Sequence, residues 1–89
     1  MLLNDPHSER TRNNMKLADI APKSSCRIVN AAADHPDLQS RLYALGLYSG
    51  AAVDVLRYAP AGDPIQIRIG MTLLSIRKQE ALLIEVESI

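Results

Sequence analysis

The stretch RLYALGLYSG, residues 41–50, followed by AAVDVLRYAPAGDP, residues 51–64, decides the topology of this 89-residue chain. Leu38, Leu42 and Leu45 recur at i, i+4 and i+7, so they line one face of a short helix and are expected in the core. Gly46 stands where that helix ends, because a residue without a Cβ takes the left-handed conformation that closes a last turn. Gly50 marks a second reversal, after which Ala52 to Ala59 reads as a strand. The proline-rich run from Pro60 to Pro64 cannot continue a regular strand and reads as a turn. A helix is thus inserted between two strands of a small β domain.

Working upstream, Asp34-His35-Pro36-Asp37 is a helix-start signature. An Asp or His at the cap accepts from free backbone amides, Pro36 suits the first helical position, and Asp37 favours the positive end of the dipole. That helix is expected to run to about Leu45. Cys26 to Asn30 reads as a first strand with Ile28 and Val29 as core anchors, and Leu17 and Ile20 suit one helical turn before Pro22. Residues 1–14, MLLNDPHSERTRNN, have no apolar period after Leu3 and read as a disordered extension to a folded domain spanning 15–89.

Downstream, Ile65 to Ile69 alternates cleanly, Gly70-Met71-Thr72 reverses the chain into a strand from Leu73 to Arg77, and Lys78 to Ala81 reads as one helical turn. Leu82 to Ser88 alternates again, with Leu82, Ile84 and Val86 on one face. Five short strands joined by tight turns, in a chain too small for two packed sheets, favour a mainly β fold. The expected form is a small closed, five-stranded SH3-like barrel with one inserted short helix, closure removing exposed strand edges.

Composition narrows the function. Lys plus Arg number 10 and Asp plus Glu number 10, so the chain lacks the cationic surplus that non-specific nucleic-acid binding draws on. With three Tyr and no Trp or Phe, it also lacks the stacking aromatics of an RNA-binding sheet. Cys26 is the one cysteine, which suits a reducing compartment, and no apolar run reaches the roughly 18 residues a membrane span needs. A cytoplasmic protein without direct membrane insertion is expected.

Several of these pieces, taken in order, resemble the FeoA family of ferrous-iron transport accessory proteins. They are the segment from Arg41 to Gly50, the strand Val53 to Arg57, the turn Pro60 to Pro64, Ile65 to Ile67, and Leu74 to Ala81, and the resemblance covers Lys16 to Ile89. Family members usually carry a Gly in the turn before the first strand, where this chain reads Pro22-Lys23-Ser24-Ser25; Ser supplies adequate turn chemistry. The resemblance implies an SH3-like barrel that works beside a FeoB-type membrane transporter with a cytoplasmic GTP-binding domain. A second reading is a stand-alone, metal-sensing relative of the SH3-like domain at the C-terminus of metal-dependent repressors.

Reactive chemistry is sparse. The four glycines, Gly46, Gly50, Gly62 and Gly70, form no phosphate-binding cluster. Cys26 reads as a small core residue rather than a nucleophile. The cluster from Asp34 to Asp37 is explained by its capping role and lacks a second group to complete a metal site, so neither metal ligands nor a cofactor is assigned and an enzyme is not expected. An accessory to a GTPase can supply an arginine in trans, which makes Arg41, Arg57 and Arg77 candidates. The competing reading pairs them with Asp54, Asp63 or Glu80 on a solvated surface. Binding of proline-rich peptides needs an aromatic groove, for which only Tyr43, Tyr48 and Tyr58 are available. The expected partner-binding set is Arg41, Tyr43, Leu47, Tyr48 and Arg57, with Leu47 and Leu83 adding exposed apolar area. Weak self-association is a further expectation.

Overall fold

Residues 15–89 are described by the computed structural model, and the extension read over 1–14 lies outside them. Met15–Lys16 forms β1 and leads into a single 3-10 turn, Leu17–Asp19. Then follow β2 (Ser24–Ala31), α1 (Pro36–Ala44), β3 (Ala52–Tyr58), β4 (Ile65–Ile69), β5 (Thr72–Ile76), the helical turn α2 (Lys78–Ala81) and β6 (Ile84–Ser88). The strands make one antiparallel sheet in the order β1-β6-β2-β3-β4-β5.

This is the mainly β, helix-inserted barrel read from the alternating segments, with a sixth strand of only two residues. Met15 pairs with Val86 and Lys16 with Glu85, a ladder too short to show as a periodicity. The hydrogen-bonded ladder does not close, since β1 and β5 are its two edges. Enclosure of the core is completed by turns instead. α2, which links β5 to β6, touches the 3-10 turn after β1, and Ala81 and Leu17 from these two pieces are fully buried.

Alternation places Cys26 and Ile28 of β2, Val53 and Val55 of β3, and Ile65 and Ile67 of β4 inside. Two bulges then break the period. Between Ile28 and Asn30 the β2–β6 register shifts, so Ala31 rather than Asn30 faces the core. Val29, expected as a core anchor, is instead exposed. Between Val55 and Arg57 the β3–β4 register shifts too, which turns Arg57 outward and lays Tyr58 opposite buried Ile65. The Tyr58 hydroxyl, at the inner edge of the barrel, lies 2.6 Å from the Ile20 carbonyl oxygen and 3.0 Å from that of Ala18 and donates to them. It ties β3 to the 3-10 turn.

At the last strand, Leu82 is exposed because the chain is still leaving α2 there, and inward alternation starts only at Ile84. Leu83 is half-buried against the core rather than exposed. The turn from Pro60 to Pro64 carries a cis Asp63–Pro64 bond and Gly62 at φ 89°. Asp63 Oδ1 accepts from the Lys78 amide at 3.0 Å, so this turn caps α2 from across the fold.

Candidate functional site

The helix α1 starts at Pro36, as its cap signature requires, but His35 occupies the cap position without a side-chain hydrogen bond to the helix amides. Its exit is more tightly specified. The Leu45 amide bonds back to Arg41 and Leu42, the Gly46 amide donates to the Tyr43 carbonyl at 3.0 Å, and the Leu47 amide donates to the Leu42 carbonyl at 2.9 Å. This pair of bonds around a left-handed glycine, Gly46 at φ 97°, is a Schellman closure, in which the residue after the glycine packs toward the third residue from the helix end.

The closure exchanges the roles of two leucines. Leu47, expected on the contact surface, is fully buried together with Leu42. Leu45, expected in the core, is 46% exposed. The sequence repeat at i+7 fails here because the closure brings Leu47 back toward Leu42 and into the core, leaving Leu45, the C-cap residue, at its solvent edge.

Around this exit the structure gathers Tyr43, Leu45 and Tyr48, each roughly half exposed. The two tyrosine rings meet edge to face, with centroids 6.4 Å apart and planes at 80°, the geometry favoured by aromatic quadrupoles. The loop bearing Tyr48 is pinned from below. Ser49 Oγ donates to the Val29 carbonyl at 2.6 Å, the Gly50 amide donates to the Ile28 carbonyl at 2.8 Å, and Arg27 Nη1 donates to the Gly50 carbonyl at 3.0 Å. Exposed Val29 on β2 thus sits beside this loop. Val29 and Leu45 are the members of the patch that were expected in the core: strand alternation after buried Ile28 turns out the first, and the helix closure leaves the second at the surface.

Arg41, one helical turn before Leu45, forms an ion pair with Glu80 of α2. Of the pairings expected for the arginines, this one is realised. Arg57 Nε instead donates to Gln66 Oε1 at 2.9 Å, and Asp54 pairs with Arg68 at 3.0 Å. Arg57 does not join the patch: it lies five positions along the strand from Ala52, about 17 Å at the usual rise. Arg77 stands at the N-cap position of α2 without a side-chain bond to the helix and borders a hollow with Asp63, Pro64 and Ser75.

The ionisable groups elsewhere are structural. Burial, with the Asp54 charge adding to it, pushes the Cys26 thiol up to about 11, which keeps it protonated and unreactive at neutral pH. Hydrogen bonds from Ser25 and Arg68 hold the Asp54 carboxyl below its ordinary value. A cleft of about 170 Å³ between β2, β6 and the start of α1 contains Asp34, His35 and Glu85. Its Glu85 Oε1 accepts from Asn30 Nδ2 at 2.7 Å and its Oε2 from Lys16 Nζ at 3.5 Å. Among the described residues no group of three or more His, Cys, Asp or Glu side chains is placed to hold a metal ion. Nor does any described helix have the length and apolarity to cross a membrane.

A six-stranded antiparallel barrel with one short helix inserted before its third strand, presenting an aromatic patch at the helix exit, is an SH3-like domain. Within that class the chain belongs to the FeoA domain family, whose family model matches residues 15–88. It is similar to the FeoA protein of Chlorobium tepidum, with 39% identity, a TM-score of 0.78, and coverage of 84% of this chain and 70% of that one. It is similar as well to iron(II) transport protein A of Clostridium thermocellum, at 36% identity and TM-score 0.78, covering 84% of this chain and 46% of that one. A zinc complex of Stenotrophomonas maltophilia FeoA, described as a prokaryotic SH3 domain protein, aligns at 25% identity and TM-score 0.71 over 82% of this chain and 89% of that one. The barrel fold is shared, at 20% identity and TM-score 0.76, with ScaR, a zinc-bound protein of which the match covers 38%.

Proposed function

We propose that this protein is a cytoplasmic, non-enzymatic accessory of ferrous-iron uptake. It docks on the cytoplasmic part of a FeoB-type membrane GTPase transporter through Tyr43, Leu45 and Tyr48, flanked by Val29 and Arg41. Family membership supports the iron-transport setting, and the Stenotrophomonas FeoA is itself described as a candidate activating factor of bacterial ferrous-iron transport. The observation that carries the docking surface is the half-exposed edge-to-face tyrosine pair, one ring on the last turn of α1 and the other on a pinned loop. Rigid aromatic rings give large contact area at low entropic cost, the property that concentrates binding energy in interfaces.

The test is binding of the purified protein to the cytoplasmic part of the cognate transporter by calorimetry. Tyr48→Asp places a charge in the patch and is expected to weaken binding by roughly 10-fold or more. Unchanged affinity in a folded Tyr48→Asp variant rejects the surface.

A second reading, direct metal binding with a sensing role, is favoured by the zinc complex of the Stenotrophomonas relative. It requires that micromolar zinc or ferrous ions raise the melting temperature of the protein, and an unshifted transition at saturating metal removes it.

A further inference from the structure

The β5 edge shares no residue with the docking patch and is a second exposed surface with chemistry of its own. Natural sheet edges are blunted by Lys, Pro, a bulge or very short length. β5 has none of these protections. Its five residues, Thr72-Leu73-Leu74-Ser75-Ile76, carry no charge and no proline, and they pair with β4 in unbroken register. The opposite edge, β1, is only two residues long.

Hydrogen-bond parity tells which groups of β5 face outward. Gly70-Met71 forms a two-residue turn, with Gly70 at φ 59° in its first position, and Ile69 faces Thr72 across it. A turn of that length closes on a hydrogen-bonded pair, so Thr72, Leu74 and Ile76 bond to β4. The amides and carbonyls of Leu73 and Ser75 therefore point away from the sheet. Among the described residues, no backbone bond to any element other than β4 reaches these two. Their side chains lie on the outer face, where Leu73 is 68% exposed next to Met71, which is 98% exposed.

We infer that β5 pairs antiparallel with β5 of a second copy of this chain, across a two-fold axis at Leu74, to give a weak, concentration-dependent dimer. The strand is self-complementary in that register. Leu73 lies opposite Ser75 of the second copy, and both are residues with outward-pointing backbone groups, so each exchanges N–H and C=O bonds with the other. Leu74 meets its own symmetry mate in the close, non-hydrogen-bonded position. Leu73 is then covered diagonally by Leu73 of the second copy, the cross-strand contact that a single copy lacks.

Charge does not oppose the arrangement. The strand itself has none, and Arg68, next in the row beyond Leu73, is neutralised by Asp54. Arg77 falls opposite Met71 of the second copy rather than another cation. Five residues a side are far short of a standard interface, which places the dimer in the transient class.

Sedimentation equilibrium tests it. The mass of the full chain is expected to rise from monomer toward dimer between about 10 μM and about 1 mM, the range of weak association. Ser75→Lys and Leu73→Lys, both at exposed positions, are each expected to hold the protein monomeric at the top of that range with the circular dichroism spectrum unchanged. Tyr48→Asp is expected to leave the dimer intact, which separates this edge from the transporter patch. A mass that stays monomeric at about 1 mM overturns the inference. So does a dimer that persists in folded Ser75→Lys.

Discussion

The amide of Leu47 donates to the carbonyl of Leu42 at 2.9 Å, the outer bond of the glycine closure that separates the core leucine from the surface one. It carries the chain back under the helix end, so that Leu47 enters the core beside Leu42 while Leu45 is left facing solvent.

Truncation at these two positions should separate sharply. Leu47→Ala removes a fully buried side chain and is expected to destabilise the domain by about 2–5 kcal/mol. Leu45→Ala, at a half-exposed site, should change stability by no more than about 0.5 kcal/mol. Urea unfolding followed by circular dichroism measures both; equal losses would contradict the assignment of core and surface.

Gly46→Ala isolates the backbone part of the same closure. At φ 97° a side chain is strained, while the added Cβ would meet only Ile69 Cγ2 at 3.6 Å, an ordinary contact. The cost is therefore conformational, about 1–2 kcal/mol. For a domain of this size that lowers the melting temperature by roughly 4–16 °C. A variant as stable as the parent would mean that the closure tolerates an L side chain.

The leucine exchange also shows what periodicity could and could not reveal. The strand Ile65–Ile69 and the helical turn Lys78–Ala81 were legible to the residue, because strict alternation and a short polar run admit no other reading. Leu45 and Leu47 were misassigned although the signal was present: Leu-x-x-Leu-Gly-Leu carries an apolar residue on each side of a helix-stopping glycine, and the Schellman rule selects the second. Val29 was a different failure. Alternation from buried Cys26 and Ile28 already turns it outward; what no local pattern in β2 encodes is the bulge after Ile28, which puts Ala31 rather than Asn30 in the core. The open β1–β5 gap was hidden likewise, since closure is a property of the whole ladder.

Alkaline stability should report on Cys26 and Tyr58. Burial raises the thiol from 9.0 to about 11, and burial raises the Tyr58 hydroxyl above its ordinary value. In both cases the folded state holds its proton after the unfolded chain has released it. The stabilisation is thus complete below the unfolded values and is lost as pH rises through the folded ones. Stability is expected to fall between pH 9 and about 11, the interval of the thiol shift, and Cys26→Ala should flatten that fall. An alkaline profile unaltered by Cys26→Ala would place the titration elsewhere.

The acid limb belongs to Asp54, whose carboxyl is held below the ordinary 3.8 first by the Ser25 hydroxyl and then by Arg68. Here the sign reverses: the folded state favours the ionised form, so the contribution is present above the unfolded value and disappears as pH falls through the lower, folded one. Ser25 Oγ donates to Asp54 Oδ1 at 2.6 Å, a bond that is stronger to the ionised carboxylate than to the neutral acid. Ser25→Ala should therefore move the Asp54 titration, followed by carboxyl NMR shifts, back toward 3.8. Arg68→Lys should move it less, since a lysine keeps the charge and loses only the hydrogen-bond geometry. If Ser25→Ala leaves the Asp54 titration in place while Arg68→Lys shifts it, the guanidinium rather than the hydroxyl sets the carboxylate.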